Sequence, residues 1–227
     1  MKIKLYIIFI LFFNSCNIIH NKSYLEKLDL NKNAINLKLN GYYYSEGEME
    51  IVITSNFNNE NSNSEKKKIK FLEVYFLYEN GLILKLPIIN YNTKYYCSKN
   101  LNSENNYEYL HSIVLDMVNS HFSDDKKIKR NCDFNTKNIQ FKGIYKSNED
   151  SIKLQYYDSR RISRWNSGWF LQEFNGKIIN DSTFSIENTI DYKFKNIVNC
   201  SKTFKFKKID KKPEIDWNFK ILKEKVK

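Results

Sequence analysis

The sequence predicts a mainly β fold: an antiparallel up-and-down meander closed into a barrel, with one α-helix inserted at about residues 104–121. Three observations point there. Apolar and polar residues alternate over many short runs, as in half-buried strands. Asn-Gly pairs and polar turns separate those runs at hairpin spacing. One stretch of about twenty residues drops the alternation for a spacing of three and four. A long meander removes its sticky edges by curling into a barrel.

The N-terminus carries an address. Lys2 and Lys4 precede an unbroken apolar run, Leu5 to Phe13, and then Asn14, Ser15 and Cys16. A charged start, a short apolar stretch and a small residue at the cut make a signal peptide over residues 1–15. Nine apolar residues fall short of the roughly 20 that a membrane-spanning helix needs. Ser15-Cys16 just past the apolar stretch resembles a bacterial lipobox, although Phe13 and Asn14 depart from its commonest residues. The resemblance implies that Cys16 is lipidated and becomes the mature N-terminus. Two or more acyl chains hold a protein stably, at about 0.8 kcal/mol per buried methylene. Residues 17–36 are polar and Asn-rich without a clean period, so 16–36 read as the lipidated cysteine and a tether. Residues 37–227 form one domain.

Composition narrows the classes. The chain has 227 residues and a net charge of +11, which falls to about +9 without Lys2 and Lys4. Arginine occurs four times against abundant lysine and asparagine, a bias typical of AT-rich coding. A basic balance favours an anionic neighbour such as a membrane surface. No nucleic-acid-binding motif is present, and nucleic acid is not expected as a partner. Aromatics at 15% supply a sizeable core. With Cys16 lipidated, Cys97, Cys132 and Cys200 remain, enough for one disulfide in an oxidising compartment. Cys97–Cys132 is preferred because the two bracket one inserted segment, but all three pairings stay open.

Each element follows in order. "LKLNGYYY" and "EMEIVITS" alternate from Leu37, and polar Asn56 to Lys68 is a loop. "IKFLEVYFL" and "LILKLPII" flank Asn80-Gly81, a type I′ hairpin signal; Pro87 marks a strand end. In "SENNYEYLHSIVLDMVNSHF", Tyr107, Leu110, Val114, Met117 and Val118 share one helical face, with Ile113 beside them. Ser103 is its expected N-cap and Glu104 suits the first turn. "IQFKGIYK" and "SIKLQYYDS" are strands joined at "SNED". The next runs turn at Asn175-Gly176 and again at Asn180-Asp181. "KTFKFKKI" points Phe204 and Phe206 one way and its lysines the other. Trp217, Phe219 and Ile221 pack back as a last strand or short helix.

The order "GYYY…FLYENG…FKGIY…GWF…NGKIINDSTFSI…FKFKKIDKKP" resembles uncharacterised bacterial lipoproteins of lipocalin-like fold over roughly residues 37–219. "NGKIINDSTF" and "KKPEIDWNF" are its most specific pieces. The resemblance implies a lipocalin-like barrel and carries no functional residues.

Candidate sites are few. "RRISRW" gathers Arg160, Arg161 and Arg164 beside Trp165, with Trp169 nearby. Guanidinium groups bind carboxylate or phosphate in bidentate fashion and stack on aromatic rings. A ligand or headgroup contact near a barrel mouth is one reading, a solvated loop with Arg–Trp stacking the other. Tyr42, Tyr43, Tyr44, Tyr156, Tyr157 and Trp169 line a cavity or fill a core. Lysines at 205, 207, 208, 211 and 212 face a leaflet or plain solvent. His111 has no evident partner, and Asp181-Ser182-Thr183 is explained by a turn. Catalytic signatures, metal spacings and phosphate-binding glycine loops are missing, so neither an enzyme nor a metal or cofactor is expected. The expectation is a lipid-anchored protein of the cell envelope, at the outer membrane, that binds a small apolar or amphipathic ligand. The alternative is a filled barrel serving as a protein-interaction or structural envelope lipoprotein.

Overall fold

The computed structural model describes residues 18–26, 36–54, 64–90, 105–126, 142–163 and 166–215. In chain order they form β1 (Ile18–Ile19), β2 (Gly41–Thr54), β3 (Ser64–Leu77), β4 (Leu82–Lys85) and β5 (Ile89–Asn90). Helix α1 (Tyr107–His121) follows, then β6 (Lys142–Ser147), β7 (Ser151–Ser163), β8 (Asn166–Asn180), β9 (Thr183–Asp191) and β10 (Asn196–Lys208). Eight of these strands pair antiparallel in the order β2-β3-β4-β6-β7-β8-β9-β10, and β10 returns to β2 with Phe206 opposite Tyr43. Among the described residues, this is the expected up-and-down barrel with an inserted helix. β5 adds to β3, and β1 runs parallel to β8, with Ile18 beside Gly168.

Alternation sorts the side chains onto two faces. Tyr43, Tyr75, Leu77, Ile83, Tyr145, Leu154, Tyr156, Phe174, Phe184 and Phe204 come from all eight barrel strands, sit in register and fill the interior. Phe184 and Phe204 stack at 5.0 Å, Tyr156 and Phe174 at 5.1 Å, and Tyr43 lies 5.1 Å from Phe184. The intervening residues Tyr42, Leu72, Val74, Phe76, Leu82, Leu84 and Ile144 form a second core outside the barrel. Helix α1 covers it with Leu110, Ile113, Val114, Met117 and Val118, each at about 2 kcal/mol for full burial. Tyr42 meets His111 across that layer at 2.8 Å, so the histidine does have a partner. Burial, then the charge of Lys207, pushes the His111 pKa down to about 4.

Several local expectations change. The helix starts at Tyr107, capped by Asn106, whose Oδ1 accepts from the Tyr109 amide at 2.7 Å. Ser103 and Glu104 lie outside the described residues, as do Cys16, Cys97, Cys132, Trp217, Phe219 and Ile221. At Asn80-Gly81 only Gly81 has positive φ (77°), and its amide donates to Tyr78 O. The turn is therefore type I over Glu79-Asn80 closed by a left-handed glycine, not type I′. Asn175-Gly176 is no turn: β8 continues through it to Asn180, with a bulge at that dipeptide. A Cβ on Gly176 would stand 1.8 Å from Ser185 O, so glycine serves close strand approach here. Residues 18–26, part of the expected tether, lie against the barrel. Leu25 is in the outer core, and buried Gln155 accepts from the Glu26 amide and donates to Tyr24 O. Glu26 also pairs with Lys146 at 2.6 Å and Lys153 at 2.8 Å.

Candidate functional site

β10 stays paired with β2 only from Lys205–Tyr44 to Lys208–Gly41. Beyond that, β2 follows β3 and β10 follows β9, and the two strands part. The gap is a cleft of about 330 Å³ between Ser45, Gly47, Phe71, Glu73, Lys202 and Thr203 among others. Glu73 stands at its floor, 6% exposed. Tyr75 Oη donates to Glu73 Oε1 at 2.6 Å and Lys202 Nζ to Oε2 at 2.8 Å. Deeper in, Lys85 Nζ donates to Tyr156 Oη at 2.8 Å. A chain of polar groups thus runs from the cleft into an otherwise aromatic interior.

Charge keeps this chain ionised. Burial raises the Glu73 pKa, but the ammonium groups of Lys202 and Lys85 and the bonds from Lys202 and Tyr75 outweigh it and hold the carboxyl below its usual value. Burial likewise lowers Lys85, while Tyr156 and Glu73 raise it by more, leaving it above its ordinary value. A proton-transfer group works best with a pKa near the operating pH. Glu73 and Lys85 are pushed away from it, so this arrangement fixes charges in place. It suits holding a small polar group at the cleft, and the Glu73–Lys202 pair presents both signs to it.

Sequence reasoning passed over these residues, although a signal existed. Glu73 is the lone acid in "FLEVYFL" and Lys85 the lone cation in "LILKL", each at an inward position of an apolar alternation. The residues it favoured fall elsewhere. Arg160 pairs with Asp158 at 3.0 Å and lies 3.9 Å from Asp191. It faces the same side as Gly168, whereas Trp169 pairs with Ser159 on the opposite face and packs on the outer core. Arg161 is exposed beside Ser167. Arg164 and Trp165 lie outside the described residues. Of the tyrosines, Tyr43 and Tyr156 face inward, while Tyr42 and Tyr157 join the outer core with Tyr44 packed against it. Cys200 carries a free, half-buried thiol.

Compared with protein-family models, curated proteins and solved structures, the chain matches none of them.

Proposed function

We propose that the protein is a lipid-anchored barrel of the bacterial cell envelope, attached through Cys16 and acting through its outer surface. The observation that carries this is the filled interior: rings from Tyr43, Tyr75, Tyr156, Phe174, Phe184 and Phe204 meet where a lipocalin-type carrier keeps its ligand space. The cleft at Glu73 is polar, which speaks for contacts with polar partners over an apolar cargo. The lysine-led apolar run ending at Ser15-Cys16 supports the anchor. The outer membrane is the expected address, and an envelope protein the expected partner. Native mass spectrometry of the protein purified from bacterial envelopes, with a fluorescent fatty-acid titration, tests the reading. The expected result is a chain beginning at acylated Cys16 that shows no saturable fatty-acid binding. An unacylated chain would remove the anchor, and saturable binding would restore the reading as a carrier of an apolar or amphipathic ligand.

A further inference from the structure

One end of the barrel is built unlike the other. The β7 end, the β9–β10 turn and the incoming N-terminal segment meet there. Lys193 Nζ donates to Arg161 O at 2.6 Å and lies 5.4 Å over the Phe170 ring. Phe170 in turn stacks on His20 at 4.3 Å. From this joined surface four large apolar side chains point into solvent: Ile162 (44% exposed), Phe194 (63%), Ile197 (67%) and Val198 (50%). Single exposed apolar residues are ordinary, but Ile162 and Phe194 lie on two touching tips, and Ile197 and Val198 carry apolar surface onto both faces of the β9–β10 ribbon. Exposed Arg161 and Lys195 flank them. The acids here, Asp158 and Asp191, both face Arg160, and Asp191 also accepts from the Lys193 and Phe194 amides. Lys195 holds its backbone at φ 54°, a strained setting that glycine or asparagine would adopt more easily, and it presents a cation there. The far end carries both signs: its turns hold Glu79, Glu149, Asp150 and Asp181, with Lys38 paired to Asp181 and exposed Lys208 and Lys211 beside them.

We infer that this apolar, cationic end docks onto a bilayer surface bearing anionic headgroups. The inference rests on the anchored reading, which supplies the membrane and its side. β1 enters from this end, with Ile18 beside Gly168. Cys16 is two residues earlier, at most about 7 Å of chain. A lipid at Cys16 therefore brings this end of the barrel, and not the turns at 148–150 and 180–182, towards the headgroups. Apolar tips bury at the interface and cations pair with anionic lipid.

The test uses the protein purified from envelopes with its native N-terminus, reconstituted into phosphatidylcholine vesicles with and without phosphatidylglycerol. Flotation reports the anchor, and hydrogen exchange of the same sample reports docking. Slower exchange at 160–162 and 192–199 is expected on anionic vesicles, with the turns at 148–150 and 180–182 unchanged. The triple variant Arg161→Gln, Phe194→Ser, Lys195→Gly should still float and lose that protection. Each cation near an anionic surface contributes about fivefold, so two alone lower the docked population roughly 25-fold. Lys195→Gly relieves backbone strain, and circular dichroism and unmoved exchange at the far turns exclude misfolding as the cause. Floating protein with unprotected tips overturns docking and leaves the anchor. Protein that does not float overturns both. Equal protection on neutral vesicles overturns the assignment to anionic headgroups, and protection without vesicles reassigns the patch to self-association.

Discussion

The two ends of the barrel solve the same problem in opposite ways. At the closed end β2 and β10 are paired, the turns are tight and residues 209–215 pack against the end of β3 and the outer core. There Lys212 Nζ donates to Leu39 O and Leu77 O, and Tyr78 donates to Pro213 O. Burial lowers the Lys212 pKa to about 8. At the open end the same two strands part, polar groups reach inward to Glu73, and the tips expose apolar side chains. Closure of a small barrel at one end is thus enough to hold the fold, which leaves the other end free for surface chemistry.

The comparison is broken most directly by emptying the packed interior. Phe204→Ala removes a ring from the Phe184 stack and is expected to cost about 4 kcal/mol in denaturant unfolding. A loss below 1 kcal/mol would show that the barrel is not packed as described. Next in size, Glu73→Gln removes the carboxylate that accepts from Lys202 and Tyr75 and should cost about 2 kcal/mol at neutral pH, since Lys202 is part exposed and regains water. The sign with pH follows from the depressed pKa. Stability from ionised Glu73 is complete above its ordinary value of 4.5 and disappears as pH falls through the lower folded value. Melting curves below pH 4.5 should therefore fall more steeply for the wild type than for the variant.

A third measurement separates the outer layer from both ends. His111 is neutral when folded, with its pKa lowered from 6.5 to about 4. The unfolded chain binds the extra proton in that window, so stability should drop on acidification from 6.5 towards 4, by on the order of 2 kcal/mol. His111→Gln should flatten the melting temperature between those pH values, and an unchanged slope would remove the Tyr42–His111 contact as its source. The smallest effect belongs to the open end. Phe194→Ser touches an exposed tip and should leave stability within about 0.5 kcal/mol. A cost approaching that of Phe204→Ala would erase the distinction between the ends.

Much of the architecture was legible because it is local. Alternation at 41–53, 152–156 and 204–206 marked real strands, and the spacing of Leu110, Val114 and Met117 marked the helix face. Asn80-Gly81 marked a hairpin, although the turn type depends on the φ of Asn80, which the dipeptide does not determine. Asn175-Gly176 misled because a glycine at a bulge and a glycine in a turn look alike in one dimension. The segment "IIHNKSYLE" has no period, and it docks only because Gln155 and Lys153, some 130 residues later, are there to meet it. The same holds for the cleft: Glu73 acquires meaning from Lys202, which only closure brings near.

That closure also sets a schedule. Tyr44 and Lys205, the last rung of the seam, are about 160 residues apart in the chain. Contacts this remote form late, because loop-closure entropy opposes them until most of the chain is ordered. β10 is also the last of the barrel strands to leave a ribosome or a translocation pore. A nascent chain held at its N-terminus would wait with β2 as an unpaired edge, open to other strands in its neighbourhood. The seam can close only once residues 196–208 have arrived, and a chain cut short before them would keep the edge of β2 open to other strands.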